Sequence, residues 1–347
     1  MKKTIFFLLL VLFTTNVNTQ YKKLFEGKKI LITGGTGYLG RQLTSIILSY
    51  NPQKIIIFSR DEVKHYKFEN DFPDLSKIEN VIGNIRDYPQ INKNTKNVDI
   101  VIHTAALKRI DMLESNVEES VKTNIIGTIN IHRACLENNV KKAVLISTDK
   151  ACSPINTYGA CKFISEKIFT NKFYDNGTIF TVVRYGNVLD STGSIIPILL
   201  DRIQQGKSIH LTHPDMTRFI INKKEAVDLI FKAIKYGTAG ETFIPILPSF
   251  KIIDLMKVLR ENLNKMLPIK TVGIRPGEKI HEALLNASEI SRTYKAQNAY
   301  VIQPYFKSLP QDHAKFSKSS QAKDYSSENS IISKDEIEKI LKNNNIL

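Results

Sequence analysis

Tryptophan is absent from the 347 residues, cysteine occurs only three times, and no apolar run approaches the length of a membrane span. Each shortage closes off a class. Cys135, Cys152 and Cys161 form no Cys-x-x-Cys pair and cannot all pair with one another, so a disulfide scaffold does not fit and a reducing compartment is the simplest setting. Sixteen Gly and twelve Pro, without a repeating tract, exclude collagen-like and low-complexity chains, and no repeat recurs at solenoid spacing. His210 and His213 would need carboxylate or thiolate partners from elsewhere to hold a metal, and no metal is expected.

Charge is plentiful but evenly spread. The formal net charge is +15, with 26 basic and 18 acidic residues up to residue 200 and 23 and 16 beyond it. That balance lacks the basic stripe of a nucleic-acid binder and suits a lysine-rich surface or an attraction for phosphorylated small molecules. With 42% hydrophobic residues the chain has material for one large core or two ordinary ones.

The N-terminus stands apart. Lys2 and Lys3 precede nine uninterrupted apolar residues, Ile5 to Phe13, resembling the charged and apolar parts of a secretory signal, although Thr14 to Gln20 makes a poor cleavage site. Nine residues are about half of the ~20 needed to cross a bilayer, so no stable membrane span is expected. Residues 1–20 are read as a leader ahead of a cytoplasmic enzyme, with export or tethering as the alternatives.

From Lys28 the chain alternates short Val/Ile/Phe runs with amphipathic stretches: Lys29 to Thr33, Lys54 to Phe58, Val81 and Ile82, Asp99 to His103, Lys142 to Ser147, Ile179 to Arg184. Runs of that kind between helices indicate a parallel sheet covered on both faces, hence a doubly wound α/β domain over residues 22–185. Beyond Gly186, helices over Ile195 to Gln204, Lys224 to Lys235 and Ile253 to Leu263 alternate with short strands, Glu241 to Ile246 and Ile269 to Gly273. Residues 186–347 are therefore expected to form mainly a smaller C-terminal substrate-binding domain. Ser308 to Ser330 reads as an exposed excursion before a last helix, Lys334 to Asn343.

Gly34, Gly37 and Gly40, within Gly34-Gly35-Thr36-Gly37-Tyr38-Leu39-Gly40, follow the first strand and open the next helix. Glycines there let the backbone turn sharply and approach a pyrophosphate at the helix N-terminus. The second strand ends Phe58-Ser59-Arg60-Asp61. Arg60 and Ser59 suit the 2′-phosphate of NADP; Asp61 would take the acidic, NAD-selecting role if the turn were one residue longer. Further on, Ser147-Thr148-Asp149-Lys150 closes a strand, and Tyr158-Gly159-Ala160-Cys161-Lys162 places a phenol and an amine one helical turn apart. Lys162 is expected to lower the Tyr158 pKa and to reach the nicotinamide ribose, so that Tyr158, beside the cofactor it helps to bind, takes the proton of a substrate hydroxyl as hydride leaves.

These motifs, together with Ala105-Ala106-Leu107-Lys108, Thr123-Asn124, Arg184-Tyr185-Gly186-Asn187-Val188, Met216-Thr217-Arg218-Phe219 and Gly273-Ile274-Arg275-Pro276-Gly277-Glu278-Lys279, resemble the extended short-chain dehydrogenase/reductase superfamily. Within it they resemble the inverting UDP-N-acetylglucosamine 4,6-dehydratases of pseudaminic acid synthesis. The resemblance runs from Lys28 to the last helix and rests most on the Asp149-Lys150 pair, where retaining sugar dehydratases carry Asp-Glu. It implies a Rossmann fold, NADP, a UDP-sugar substrate and a homo-oligomer. It assigns Lys150 as the C5 base, Asp149 as the acid for the departing C6 hydroxyl, and Lys108, Asn187, Arg218, Arg275 and Glu278 as substrate ligands. Asn84 and Ile85 would border the adenine, Asn84 where the family more often has an acid. A neutral Lys150 is expected from burial and neighbouring cations. After Val188 the chain departs from the family: Thr192 replaces an arginine and Asp190 adds negative charge, which implies weaker binding or another sugar. A UDP-sugar 4- or 5-epimerase and a catalytically idle NADP-binding protein are the rival readings.

Overall fold

The computed structural model describes residues 19–72, 74–171, 177–191, 193–296, 298–305, 317–318 and 324–347. The apolar leader, Thr192 and most of the excursion before the last helix lie outside them.

Six strands, β1 (Lys29–Thr33), β2 (Lys54–Ser59), β3 (Ile78–Ile82), β4 (Ile100–His103), β5 (Lys142–Thr148) and β6 (Ile179–Tyr185), stand in the spatial order 3-2-1-4-5-6, every adjacent pair parallel. Their apolar residues divide between two cores, one on each face: Ile30, Ile32, Ile55 and Ile57 face one, Leu31, Ile56, Val101 and Leu145 the other. Alternate residues of a strand point to opposite faces, so a run such as Ile30-Leu31-Ile32 is stable only with cover on both sides, each buried side chain contributing about 1.5–3 kcal/mol. The order reverses between β1 and β4, whose carboxyl ends therefore open the crevice where such sheets bind ligands. There Thr33 and His103 pair in register and their side chains are 2.7 Å apart.

The second half of the chain returns to this sheet. Short strands β7 (Asn187–Val188), β8 (Ile209–Leu211) and β9 (Thr217–Ile221) are followed by β10 (Glu241–Pro245), then by β11 (Ser249–Lys251), β12 (Ile269–Thr271), β13 (Ala283–Leu285), β14 (Thr293–Ala296), β15 (Ala299–Ile302), β16 (Ser317–Lys318) and β17 (Tyr325–Ser326). Strand β10 lies parallel beside β6, and antiparallel β15, β14 and β16 complete ten strands. The sequence reading placed Glu241 to Ile246 in the smaller lobe; the sheet order puts it in the central sheet. The physical reason is burial, since all five residues of β10 are covered and the helix Lys223–Tyr236 packs back on β6 and β10 as a crossover. What remains apart is a third core of Leu189, Ile196, Leu199, Phe250, Leu255 and Leu341 with their neighbours, flanked by the small sheets β11-β9-β7 and β12-β8.

Candidate active site

The crevice begins with the glycines. Gly34 holds φ +69°, and a Cβ on it would stand 2.8 Å from the Ala105 backbone beyond β4, so only glycine lets the two loops touch. A Cβ on Gly40 would fall 2.2 Å from the Gly35 carbonyl oxygen; the helix Tyr38–Leu48 thus rests directly on the loop. Gly37 is its N-cap and brings no side chain to cover the first-turn N–H groups, which leaves them to an anion. Thr36 donates to Ser59 Oγ at 2.9 Å, tying this loop to the end of β2, where Arg60 is exposed. Asp61 is engaged elsewhere. It caps the helix Glu62–Asp71 through the Lys64 N–H at 3.0 Å, a bond that holds its carboxyl below the usual range.

The other cofactor candidates divide. Tyr38 donates to the Leu189 carbonyl at 3.1 Å, and burial followed by the Asp190 charge raises its phenol pKa. Leu39 packs on the sheet core. Asn84 accepts from the Arg86 N–H at 3.1 Å, while Ile85 is a core residue whose side chain lies where a Cβ on Gly127 would be, so only its backbone can face a ligand. The glycine cradle, the open helix end and the Ser59-Arg60 corner fit a nicotinamide dinucleotide.

Beside this cradle β5 delivers a compact charged turn. Asp149 is buried and its Oδ1 accepts from Thr148 Oγ1 at 2.9 Å and from Lys150 Nζ at 3.1 Å; its Oδ2 has no partner among the described residues. The helix Thr157–Thr170 starts from Asn156, whose side chain accepts from the Gly159 N–H at 2.7 Å. A Cβ on Gly159 would stand 2.3 Å from the Lys150 carbonyl oxygen. That contact brings Tyr158 to the turn. Burial pushes the Tyr158 phenol up to about 12, with Lys150 and a hydrogen bond to Thr148 opposing it and Asp149 adding to it.

Two electrostatic expectations are corrected. Lys162 donates to the Ile146 carbonyl at 2.6 Å, and burial lowers it to about 8; the cation acting on the phenol is Lys150. The Lys150 amine, expected to be lowered, is instead raised. Burial and Arg218 do push it down, but Asp149 and Glu282, at 3.1 and 3.4 Å, outweigh them. Glu282 escaped the sequence reading because Ile280-His281-Glu282-Ala283 looks like ordinary polar chain; only the fold, which packs β13 on the Asp149–Ala151 turn, brings it in.

The substrate candidates surround this cluster unevenly. Arg218 is buried, donates to the Thr217 and Ile280 carbonyls at 2.7 and 3.1 Å, and lies 3.9 Å from Glu282. Asn187 pairs with Ile220 in the adjoining strand. Arg275 is exposed, with its guanidinium 3.9 Å from Glu278, on a loop pinned by Asn156 Nδ2 donating to the Gly277 carbonyl at 2.8 Å. Lys108 is exposed on the stretch after β4, next to Leu107, which Asn124 holds by both its N–H and its carbonyl. Asp190 is exposed at φ +56°. Arg218 alone of these substrate candidates touches the Lys150 cluster through a carboxylate both share.

Comparison with known proteins extends this geometry. Residues 30–304 match the family described as polysaccharide biosynthesis protein. The chain is 42% identical over 294 residues to a UDP-N-acetylglucosamine 4,6-dehydratase (inverting) of Campylobacter jejuni subsp. jejuni serotype O:23/36, covering 83% of this chain and 86% of that protein. It is 39% identical over 286 residues to a UDP-glucose 4-epimerase of Rickettsia bellii, with 80% and 84% covered. Among solved structures, Pen from Bacillus thuringiensis superposes with a TM-score of 0.88 at 34% identity, over 93% of this chain and 99% of that one.

Proposed function

Because the chain belongs to the polysaccharide biosynthesis protein family, we propose that it dehydrates UDP-N-acetylglucosamine across C5 and C6 with inversion at C5, using NADP, to give a UDP 4-keto-6-deoxy amino sugar for a surface glycan or a nonulosonic acid such as pseudaminic acid. The observation that carries this reading is the Asp149-Lys150 turn held against Tyr158 by the Gly159 contact.

Bound NADP would supply a reversible hydride acceptor, for the hydride that leaves C4 and returns to C6. The protein's own groups handle protons. Tyr158 takes the proton of the C4 hydroxyl; burial raises its phenol, and the adjacent Lys150 ammonium and the Thr148 hydroxyl oppose that rise. The resulting 4-ketone acidifies C5–H. Lys150 removes that proton, and its ammonium, 3.1 Å from Asp149 Oδ1, passes a proton to Asp149, which has one oxygen unpartnered among the described residues and delivers the proton to the departing C6 hydroxyl. Protonation of C5 from the opposite face gives the inverted centre. Arg60 and Ser59 would hold the 2′-phosphate, and Lys108, Asn187, Arg218, Arg275 and Glu278 the UDP-sugar. Exposed Val117, Ile126 and Ile129 support a homo-oligomer, which sizing of the purified chain would check. No helix among the described residues is long and apolar enough to cross a membrane, and substrate supply favours a cytoplasmic site.

Incubation with UDP-N-acetylglucosamine and NADP tests the reading. Loss of one water from the product mass is expected. A product of unchanged mass with inverted C4 would replace it with the epimerase reading, which the Rickettsia bellii relative favours; cofactor binding without turnover would reduce the chain to an idle binder.

A further inference from the structure

We propose that Glu282 is the proton-holding partner of Lys150, a positioning residue that accepts the ammonium proton so that a neutral amine meets C5–H. This rests on the dehydratase reading above.

A base must first lose its proton, and the geometry around Lys150 opposes release to water. Its ammonium lies between Asp149 Oδ1 at 3.1 Å and Glu282 Oε1 at 3.4 Å, with Arg218 Nε 3.9 Å from the same Glu282 oxygen. Two carboxylates and two cations thus form a closed, neutral group with side chains buried or nearly so. Asp149 already accepts from Thr148 and is reserved for the leaving hydroxyl. Glu282 is different. Its backbone N–H donates to Ser327 Oγ at 2.9 Å and its carbonyl accepts from the Ser327 N–H at 2.8 Å, which fixes the side chain's root. Yet its side chain, 3% exposed, leaves Oε2 without a hydrogen-bond partner among the described residues. A buried carboxylate kept only for structure fills its lone pairs, because an unfilled one costs stability. A carboxylate with one oxygen unfilled and the other, Oε1, 3.4 Å from the Lys150 ammonium has capacity to take a proton.

The step balances. An N–H bond of Lys150 breaks and an O–H bond forms on Glu282, so an ammonium-carboxylate pair becomes an amine-acid pair with no change in net charge. The amine lone pair then takes the C5 proton of the 4-keto sugar, whose C–H electrons pass into the enolate. Arg218 competes for Glu282 by its charge. An anionic pyrophosphate that draws Arg218 away removes the competitor, so a bound substrate readies Glu282 to take the ammonium proton once the 4-ketone has formed. The charged groups facing Glu282 are Lys150 and Arg218, with Asp149 and Tyr158 joined to it through Lys150; neighbouring His281 faces Thr217 Oγ1 at 2.8 Å and Glu328 at 3.6 Å instead.

The test uses the full chain with NADP and UDP-N-acetylglucosamine, comparing wild type with Glu282→Gln. Two readouts are followed: reduced nucleotide in a single turnover, which reports C4 oxidation, and C5 exchange with deuterated solvent. Glu282→Gln should still reduce the nucleotide within about threefold of wild type but exchange C5 roughly 100-fold more slowly near pH 7. Its exchange should climb with pH from about 6 to 9, as hydroxide replaces the missing acceptor, over a range where wild type changes little. Glu282→Asp, which keeps the charge and shortens the reach, should recover part of the rate. Exchange at the wild-type rate at every pH overturns the proposal, and so does an equal fall of both readouts, which marks a merely structural role. If wild type itself eliminates no water, the dehydratase reading has failed instead.

Discussion

Two buried charge clusters stand a few residues apart in this fold and are built on opposite principles. Arg184, on β6, is completely served: Glu166 takes Nε and Nη2 at 3.0 and 2.6 Å, Glu289 takes Nη1 and Nη2 at 2.9 Å each, and the Leu284 carbonyl accepts from Nη1 at 2.9 Å. The Lys150 cluster likewise sets two carboxylates against cations, here Lys150 and Arg218, and leaves two carboxylate oxygens, Asp149 Oδ2 and Glu282 Oε2, unfilled among the described residues. A saturated network resists change and locks β6 to the helix Thr157–Thr170. An unsaturated one leaves acceptors free, which the proposed reaction would use for a substrate's protons. Charge and burial alone do not separate architecture from chemistry; hydrogen-bond saturation does.

Substitutions can break that contrast. The largest effect is expected for Lys150→Ala, which should lower water elimination by about a thousandfold or more, about 4 kcal/mol in activation free energy, while circular dichroism shows the native fold. Unchanged turnover would make Lys150 as architectural as Arg184. Arg184→Met should do the reverse, destabilising the chain by about 3–5 kcal/mol in denaturant unfolding because Glu166 and Glu289 lose their shared partner inside the protein. Gly159→Ala sits between the two, since its Cβ meets the Lys150 carbonyl at 2.3 Å; it should cost about 1–3 kcal/mol of stability and depress turnover together, as the Tyr158 helix lifts off the turn. Arg60→Ala lies outside both clusters and should weaken NADP binding about tenfold, with NAD binding unchanged, in a fluorescence titration.

The pH response sharpens the same contrast at smaller scale. Glu289 is pushed up by burial but held below its ordinary range by Arg184. A depressed carboxylate gives stability that is complete above its unfolded value, near 4.5, and lost as pH falls further. Thermal melts should therefore weaken below about pH 4.5, and that loss should shrink in Arg184→Met.

Much of this was legible in the chain. Lys29–Thr33, with its uninterrupted apolar run, and the glycines after it were placed without the fold, because strand burial and loop geometry are local demands. The helix Ile195–Gln204 agrees at both ends, and Ile253 to Leu263 is displaced by one residue, to Ile252–Asn262. Strand β3 was read only at Val81 and Ile82, since Glu79 and Asn80 hide a run that begins at Ile78. The hairpin Thr293–Ala296 and Ala299–Ile302 went unread because Thr-Tyr-Lys-Ala has no apolar alternation and gains its place from the edge offered by β10. At the site, Asp149, Lys150 and Tyr158 are near in sequence and were found together. Glu282 is 132 positions from Lys150 and is pinned by Ser327, and no local pattern reports such a meeting.

Asn156 does two jobs with one amide. Its oxygen starts the helix that carries Tyr158, and its nitrogen holds the Gly277 carbonyl of the Arg275–Glu278 loop. A doorway hung on the same hinge as the tool behind it cannot swing without moving the tool: any displacement of that loop tugs the first turn of the Tyr158 helix. With that loop in its proposed role of holding the UDP-sugar, admission and alignment are mechanically one event.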